Sequence, residues 1–207
     1  MTFTGLLLAA GFARRFGSQK LLAPLPDGRL VVQAAASNLL AACGRVIAVT
    51  GRDERLMRVL DDCGCQVVVN ARAGEGMGTS IAAGVAASRD AGGWLIALGD
   101  MPYIAPATIG RVLAAPQAAT MVVIPTFEGR RGHPVRFPSM LAGDLLALQG
   151  DRGAREVIDR HAAHCLLLET GDRGVLADID TPADLQCGFA ICRTQSGTVG
   201  CVACDRL

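Results

Sequence analysis

Short apolar runs alternating with longer alanine- and leucine-rich stretches constrain this chain more than any other feature. The run at 5–10, GLLLAA, is too short for a helix and has no polar alternation. It reads as a strand buried on both faces. The pattern then predicts a helix over 30–42, a strand over 45–50, a helix over 53–62 and a strand over 66–70. A glycine-rich loop at 71–77, a helix over 78–89 and a strand over 94–98 follow. Such alternation predicts a parallel sheet covered by helices on both faces, an α/β domain. The second half is less regular. Strands are expected over 120–125 and 134–137, joined through 128–132, then a helix over 151–161, a strand over 165–169 and a short helix starting at Pro182. No internal repeat or low-complexity linker interrupts the 207 residues, so one domain over 1–186 and a cysteine-containing tail over 187–207 are expected.

Composition narrows the function classes. With 20 basic and 19 acidic residues the net charge is +1, which argues against a sequence-independent nucleic-acid binder. At 51% hydrophobic residues the chain can bury a sizeable core, and disorder throughout is excluded. The longest uncharged run, 112–127, contains Pro116, Gln117 and Pro125 and falls short of the roughly 18 apolar residues a membrane helix needs. Arg14 and Arg15 follow the apolar N-terminal run rather than precede it, unlike a secretory signal, so a cytoplasmic protein with reduced cysteines is expected. Cys43, Cys63, Cys65 and Cys165 sit in apolar segments, as small core residues do. Cys187, Cys192, Cys201 and Cys204 crowd the tail, and only Cys201 and Cys204 have the CxxC spacing of a zinc site; a plain tail is the expectation and zinc the alternative. Of the 20 basic residues one is lysine, Lys20. Coding bias toward arginine is the ordinary cause; a site that requires a compact point charge is the other.

In open α/β sheets ligands bind at the carboxyl ends of the strands. Four loops therefore matter: 11–20, 71–77, 100–104 and the segment around Asp178. In the first, glycines allow a ligand close to the backbone, whose N–H groups cradle anions, and Arg15 and Lys20 add positive charge for phosphates. Neither GxxxxGK[ST] nor GxGxxG occurs in this turn, so phosphate binding and an ordinary exposed loop both remain open. Asp100, just past a strand, suits a Mg²⁺ ion bridging to phosphates, or a cap or turn before Pro102. Asp178 and Asp180 alternate along an extended segment, so one of the two is expected to reach the site. Asp180 or Thr181 could instead cap the last helix. Arg130 and Arg131 beside Gly132-His133-Pro134 form either an anion site or a solvated hairpin tip. His161 and His164 read as structural or surface residues, and no convincing Ser-His-Asp or Cys-His arrangement is present.

Five ordered motifs carry a resemblance over about residues 5–186: LAAG with Arg15, Gly17 and Lys20; GMGTSIAAGV from Gly76; GDMP ending at Pro102; GRRGHPV from Gly129; and DIDTPADL from Asp178. Together they resemble the MobA-like nucleotidyltransferases, and among them the molybdenum cofactor cytidylyltransferases. The resemblance implies a Rossmann-like three-layer nucleotidyltransferase fold with a mainly parallel, mixed sheet. It implies transfer of CMP from CTP to the terminal phosphate of molybdopterin, with Mg²⁺ and release of pyrophosphate. It assigns Leu8, Ala9, Ala10, Gly11, Arg15, Lys20, Gly76, Met77, Thr79 and Ser80 to the nucleotide, although Met77 also suits core packing. Arg15, Lys20 and Asp100 become catalytic, Asp100 and Asp180 metal ligands, and Arg131, Gly132 and His133 acceptor contacts. Related guanylyltransferases carry LAGG; the methyl group of Ala10 in LAAG implies the smaller cytosine. Ala13 departs from the Ser or Gly of many relatives and removes a possible hydroxyl contact. Guanylyl or sugar-phosphate nucleotidyl transfer is the alternative chemistry. A non-catalytic nucleotide-binding or delivery protein would be expected to lose Asp100 or Lys20, and both are present. The implied partners are CTP, a molybdopterin-type substrate and, transiently, molybdenum hydroxylases, met by a monomer without nucleic acid or membrane.

Overall fold

The computed structural model describes residues 2–11, 19–116 and 120–185. Four strands, β1 (Thr4–Ala9), β2 (Val46–Thr50), β3 (Gln66–Val69) and β4 (Gly93–Leu98), form a parallel block in the order β3-β2-β1-β4. All six residues of β1 are buried, as expected for a strand with helices on both sides. Leu8 stands level with Val49 of β2 and Leu98 of β4, so the strands end together and their loops share one crevice.

Beyond β4 the sheet changes direction. β5 (Val122–Phe127), β6 (Arg130–Arg131) and β7 (Val135–Pro138) extend it in the order β4-β7-β5-β6, with β7 antiparallel to both neighbours. β8 (Cys165–Glu169) pairs in parallel with β5. The sheet is mixed and mostly parallel, as the alternation of strands and helices implies.

The period-2 alternation of strand side chains divides the core in two. Leu7, Ala48 and Leu95 face α1 (Val31–Leu40), α2 (Glu54–Asp62) and α4 (Pro106–Ala114). Leu6, Ile47 and Ile96 face α3 (Met77–Ala86), α5 (Ala142–Leu146) and α6 (Arg155–Arg160). This is the three-layer arrangement.

Two departures from the sequence reading have local causes. The helix expected over 151–161 is cut by Gly153 at φ +55, leaving a 3₁₀ turn at Gly150–Arg152 and only Arg155–Arg160 as α6. The helix α4 was not expected; it starts with Pro106 in its first turn and lacks charge periodicity. Its C-terminal end is capped from the sheet. Arg136 of β7 is fully buried, and its Nη1 donates to the carbonyls of Val112 (3.0 Å), Leu113 (2.8 Å) and Ala115 (3.1 Å). A cation there answers both the unsatisfied carbonyls and the helix dipole. The guanidinium also lies 5.3 Å from the centre of the Phe3 ring. Among the described residues no helix is long and apolar enough to cross a membrane. The tail with Cys187, Cys192, Cys201 and Cys204 lies outside the described residues.

Candidate functional site

A cavity of about 320 Å³ opens where β1 and β4 end. Leu8, Ala10 and Gly11 line it from β1 and its loop, Leu98 and Asp100 from β4, and Gly76, Met77 and Ser80 from the start of α3. Lys20, Leu21, Ala73, Gly74 and Asp151 complete the wall. Arg15 lies outside the described residues. Ala9 and Thr79 do not line the cavity. Strand alternation sends Leu8 and Ala10 to one face and buries Ala9, 2% exposed, on the other. In α3, Met77 and Ser80 are three apart and share a face, whereas Thr79 turns inward.

Thr79 is instead a brace. Its hydroxyl lies 2.9 Å from the carbonyls of Arg72 and of Gly76. Buried Asn70 donates to Thr79 Oγ1 (2.9 Å) and Ser80 Oγ (3.0 Å), and its carbonyl accepts from the Arg72 amide. The loop before α3 is thereby held rigid. Gly76 sits at φ +123, and a Cβ there would fall 2.2 Å from the Gly150 carbonyl carbon. Only glycine permits this approach, which presses the 149–151 segment onto the first turn of α3.

At Lys20, on the cavity wall, one cation meets two carboxylates. Lys20 Nζ is 2.8 Å from Asp100 Oδ2 and 3.1 Å from Asp180 Oδ1. The Ile179 amide donates to the Asp100 carbonyl (2.9 Å), which fixes the DIDTP segment beside the GDMP turn. Gln19 donates to Asp53 at 2.7 Å and anchors the chain entering Lys20. Partial burial works against the charge on Lys20, but the hydrogen bonds and charges of Asp100 and Asp180 outweigh it and raise its pKa. Asp178 is exposed and makes no ion pair among the described residues. Although the residue as a whole is open to solvent, its carboxyl is partly desolvated by the surrounding chain, and this, with the charges of Asp180 and Asp100, pushes it above the usual range. Asp184 Oδ2 accepts from the Asp180 and Thr181 amides and from the Thr181 hydroxyl, which fixes the turn after Ile179.

A second cavity, about 470 Å³, lies on the α3 side of the sheet. Its walls are aliphatic and aromatic: Ile81, Ile96, Ile124, Phe137 and Ile158. Arg131, Gly132 and His133 line it as a group, and Met77 and Asp151 border both cavities. Gly132 passes so close to Val175 that a Cβ would sit 2.3 Å from its carbonyl oxygen, and the His133 amide donates to that oxygen (2.9 Å). His133 Nδ1 is buried without a hydrogen-bond partner. Burial lowers the pKa of this imidazole, against the opposing pull of the Ile96 carbonyl and Asp100. Sequence reasoning missed Asp151, Ala73 and Gly74 as lining residues; glycines at 150 and 153 inside an expected helix were the available signal for the first.

The sequence profile of the MobA-like NTP transferase domain matches residues 5–165. The chain belongs to that family. Nicotine blue oxidoreductase of Paenarthrobacter nicotinovorans is 31% identical over 187 residues, covering 86% of this chain and 92% of the relative. Rv0371c of Mycobacterium tuberculosis H37Rv, in a structure with manganese, superposes with a TM-score of 0.71 at 28% identity, covering 90% of this chain and 97% of that one. A nucleotidyl transferase from Methanothermobacter shares the fold with a TM-score of 0.80 at 24% identity, covering 93% of this chain and 99% of its own. This MobA-like chain is accordingly a nucleotidyltransferase, and the related Rv0371c has been solved in complex with manganese.

The residues present fit a divalent cation. Asp100 Oδ1 is buried with no hydrogen-bond partner, and Asp100 Oδ2 and Asp180 Oδ1 already flank one cation, the Lys20 ammonium. Among the described residues no group of three carboxylate, histidine or cysteine side chains forms a closed cage. Two carboxylates with substrate phosphates filling the remaining positions is the arrangement Mg²⁺ favours.

Proposed function

We propose that this MobA-like enzyme transfers CMP from CTP to the terminal phosphate of molybdopterin or its molybdenum-loaded form. The observation that carries the reading is the joining of two unlike cavities across Met77 and Asp151. One is lined by Lys20 and Asp100, with Asp180 paired to Lys20; the other is largely apolar with Arg131 and His133 on its wall.

An oxygen of the acceptor's terminal phosphate attacks the α-phosphorus of CTP. The new phosphoanhydride bond forms as the bond from the α-phosphorus to the bridging oxygen breaks, and pyrophosphate leaves with the electron pair. A phosphate monoester is largely dianionic at neutral pH, its second pKa being about 6, so it needs no protein base. Such chemistry rests on alignment and charge neutralisation. Lys20 and Arg15 hold the triphosphate, and Leu8, Ala10, Gly11, Gly76, Met77 and Ser80 surround the nucleoside. A Mg²⁺ ion held by Asp100 and Asp180 supplies Lewis-acid neutralisation of the phosphate oxygens. Lys20 offers a point charge where an arginine fork would impose a different geometry. The Ala10 methyl narrows the base site toward cytosine. Arg131 and neutral His133 hold the acceptor, Arg131 taking its phosphate. The reading places a monomer in the cytoplasm, meeting molybdenum hydroxylases transiently. One relative is named an oxidoreductase; the match to the NTP transferase domain over residues 5–165 supports nucleotidyl transfer here.

Incubation with molybdopterin, Mg²⁺ and each of the four ribonucleoside triphosphates tests this by pyrophosphate release. CTP is expected to be used best. A clear preference for GTP overturns the base assignment, and no release with any triphosphate overturns the reading.

A further inference from the structure

We propose that Asp151 reads the sugar of the nucleotide, its carboxylate accepting hydrogen bonds from the ribose hydroxyls; this rests on the nucleotidyl-transfer reading above. Asp151 is exposed, borders both cavities, and has neither an ion pair nor a hydrogen bond from its side chain among the described residues. Its backbone, by contrast, is tightly placed. The Cβ that Gly76 lacks would lie 2.5 Å from the Asp151 nitrogen, and Gly150 and Gly153 flank it at φ +64 and +55. Three glycines thus set one unpaired carboxylate against the first turn of α3.

Charge decides what it faces. The phosphate end of the cavity is marked by Lys20, Asp100 and Asp180. A bare carboxylate against phosphates would be repelled, whereas the nucleoside is neutral. Asp151 stands with Met77 and Gly76, on the α3 side of the cavity. A two-oxygen acceptor matches the vicinal diol of a ribose, the pairing that acidic residues make with ribose hydroxyls in dinucleotide sites. A hydrogen bond to a charged acceptor is also stronger than a neutral one, so the contact discriminates between sugars.

Calorimetric titration of the full chain with CTP and with 2′-deoxy-CTP, in Mg²⁺ and without acceptor, tests the proposal. Wild type is expected to bind CTP about tenfold more tightly than the deoxy form, the worth of one charge-assisted hydrogen bond. Asp151→Ala should erase the difference between the two nucleotides, weakening CTP about tenfold more than deoxy-CTP, which has only its 3′-hydroxyl to lose from this contact. Asp151→Asn, which keeps one acceptor oxygen, should fall between. Equal wild-type affinity for the two nucleotides overturns the proposal, as does equal weakening or tightening of both by Asp151→Ala. Thermal melting checks that the alanine variant is folded; should it not be, wild type and Asp151→Asn decide by the same comparison. If no triphosphate binds at all, nucleotidyl transfer itself falls, whereas normal binding without sugar discrimination removes only Asp151.

Discussion

The two cavities share Met77 and Asp151 but differ in where their charge sits. The smaller is built at strand ends from small residues, three leucines and one charge cluster. The larger is built under a helix layer from buried isoleucines and a phenylalanine, with polar residues at its edge. A fixed charge cluster aligns and neutralises, which is what a reacting triphosphate requires. An apolar wall selects by volume and leaves chemistry to its neighbour. Damage to the first should therefore appear in turnover, and damage to the second in the affinity for acceptor alone.

The largest effect expected is that of Asp100→Ala. Loss of this carboxylate should lower kcat by about 10²–10³-fold, the scale for removing a preorganised electrostatic group. The KM for acceptor should hardly move. Pyrophosphate release under saturating CTP measures both. A variant that keeps its kcat removes Asp100 from the chemistry and blurs the division between the cavities.

Gly76→Ala attacks the partition that both cavities share. It places a methyl group 2.2 Å from the Gly150 carbonyl carbon at a left-handed φ. The combined clash and strain should cost about 1–3 kcal/mol or more, seen as a lower urea midpoint. Nucleotide and acceptor affinities should fall together. A change in one alone would show that the 149–153 segment serves a single cavity.

Ile158→Trp fills the apolar cavity from α6. It is expected to raise the KM for acceptor by roughly tenfold, since pocket volume discriminates on the scale of 1–3 kcal/mol. The CTP dissociation constant should not change. Equal effects on both substrates would contradict a division of labour.

The same contrast explains what could be read from the chain. Runs such as GLLLAA and WLIAL announce buried parallel strands because both faces are apolar. Lys20, Asp100 and Asp180 follow from loops at strand ends, where a charge needs a reason. The second half hides its order. Arg136 makes the segment at 134–137 look half exposed, yet the residue is fully buried because the carbonyls ending α4 receive it. No local pattern announces that β7 slips antiparallel between β4 and β5, since that register is set by contacts far apart in sequence. Motif membership also does not separate lining from bracing. Thr79 and Ser80 are adjacent in one motif, and a helical turn sends them to different tasks.

Asp53→Ala offers the smallest effect and tests whether the charged cavity depends on scaffolding outside it. Asp53 caps α2, accepting from the Leu56 amide at 3.0 Å, and the same carboxylate holds Gln19 beside Lys20. The Leu56 amide and then the Gln19 side chain keep its pKa below the usual carboxylate value. A carboxyl with a depressed folded pKa stabilises fully above its unfolded value, and that stability is lost as pH falls through the folded value. Removal of the cap should therefore cost about 1 kcal/mol near neutral pH. The gap between wild type and variant should close on acidification below the ordinary aspartate pKa of about 3.9. Urea melts at pH 7 and at stepped lower pH measure it. A gap that persists in acid would assign the loss to packing rather than to the carboxylate. Because Gln19 would lose its anchor, CTP affinity should weaken several-fold while acceptor affinity stays constant, so even a remote cap should act on one cavity and spare the other.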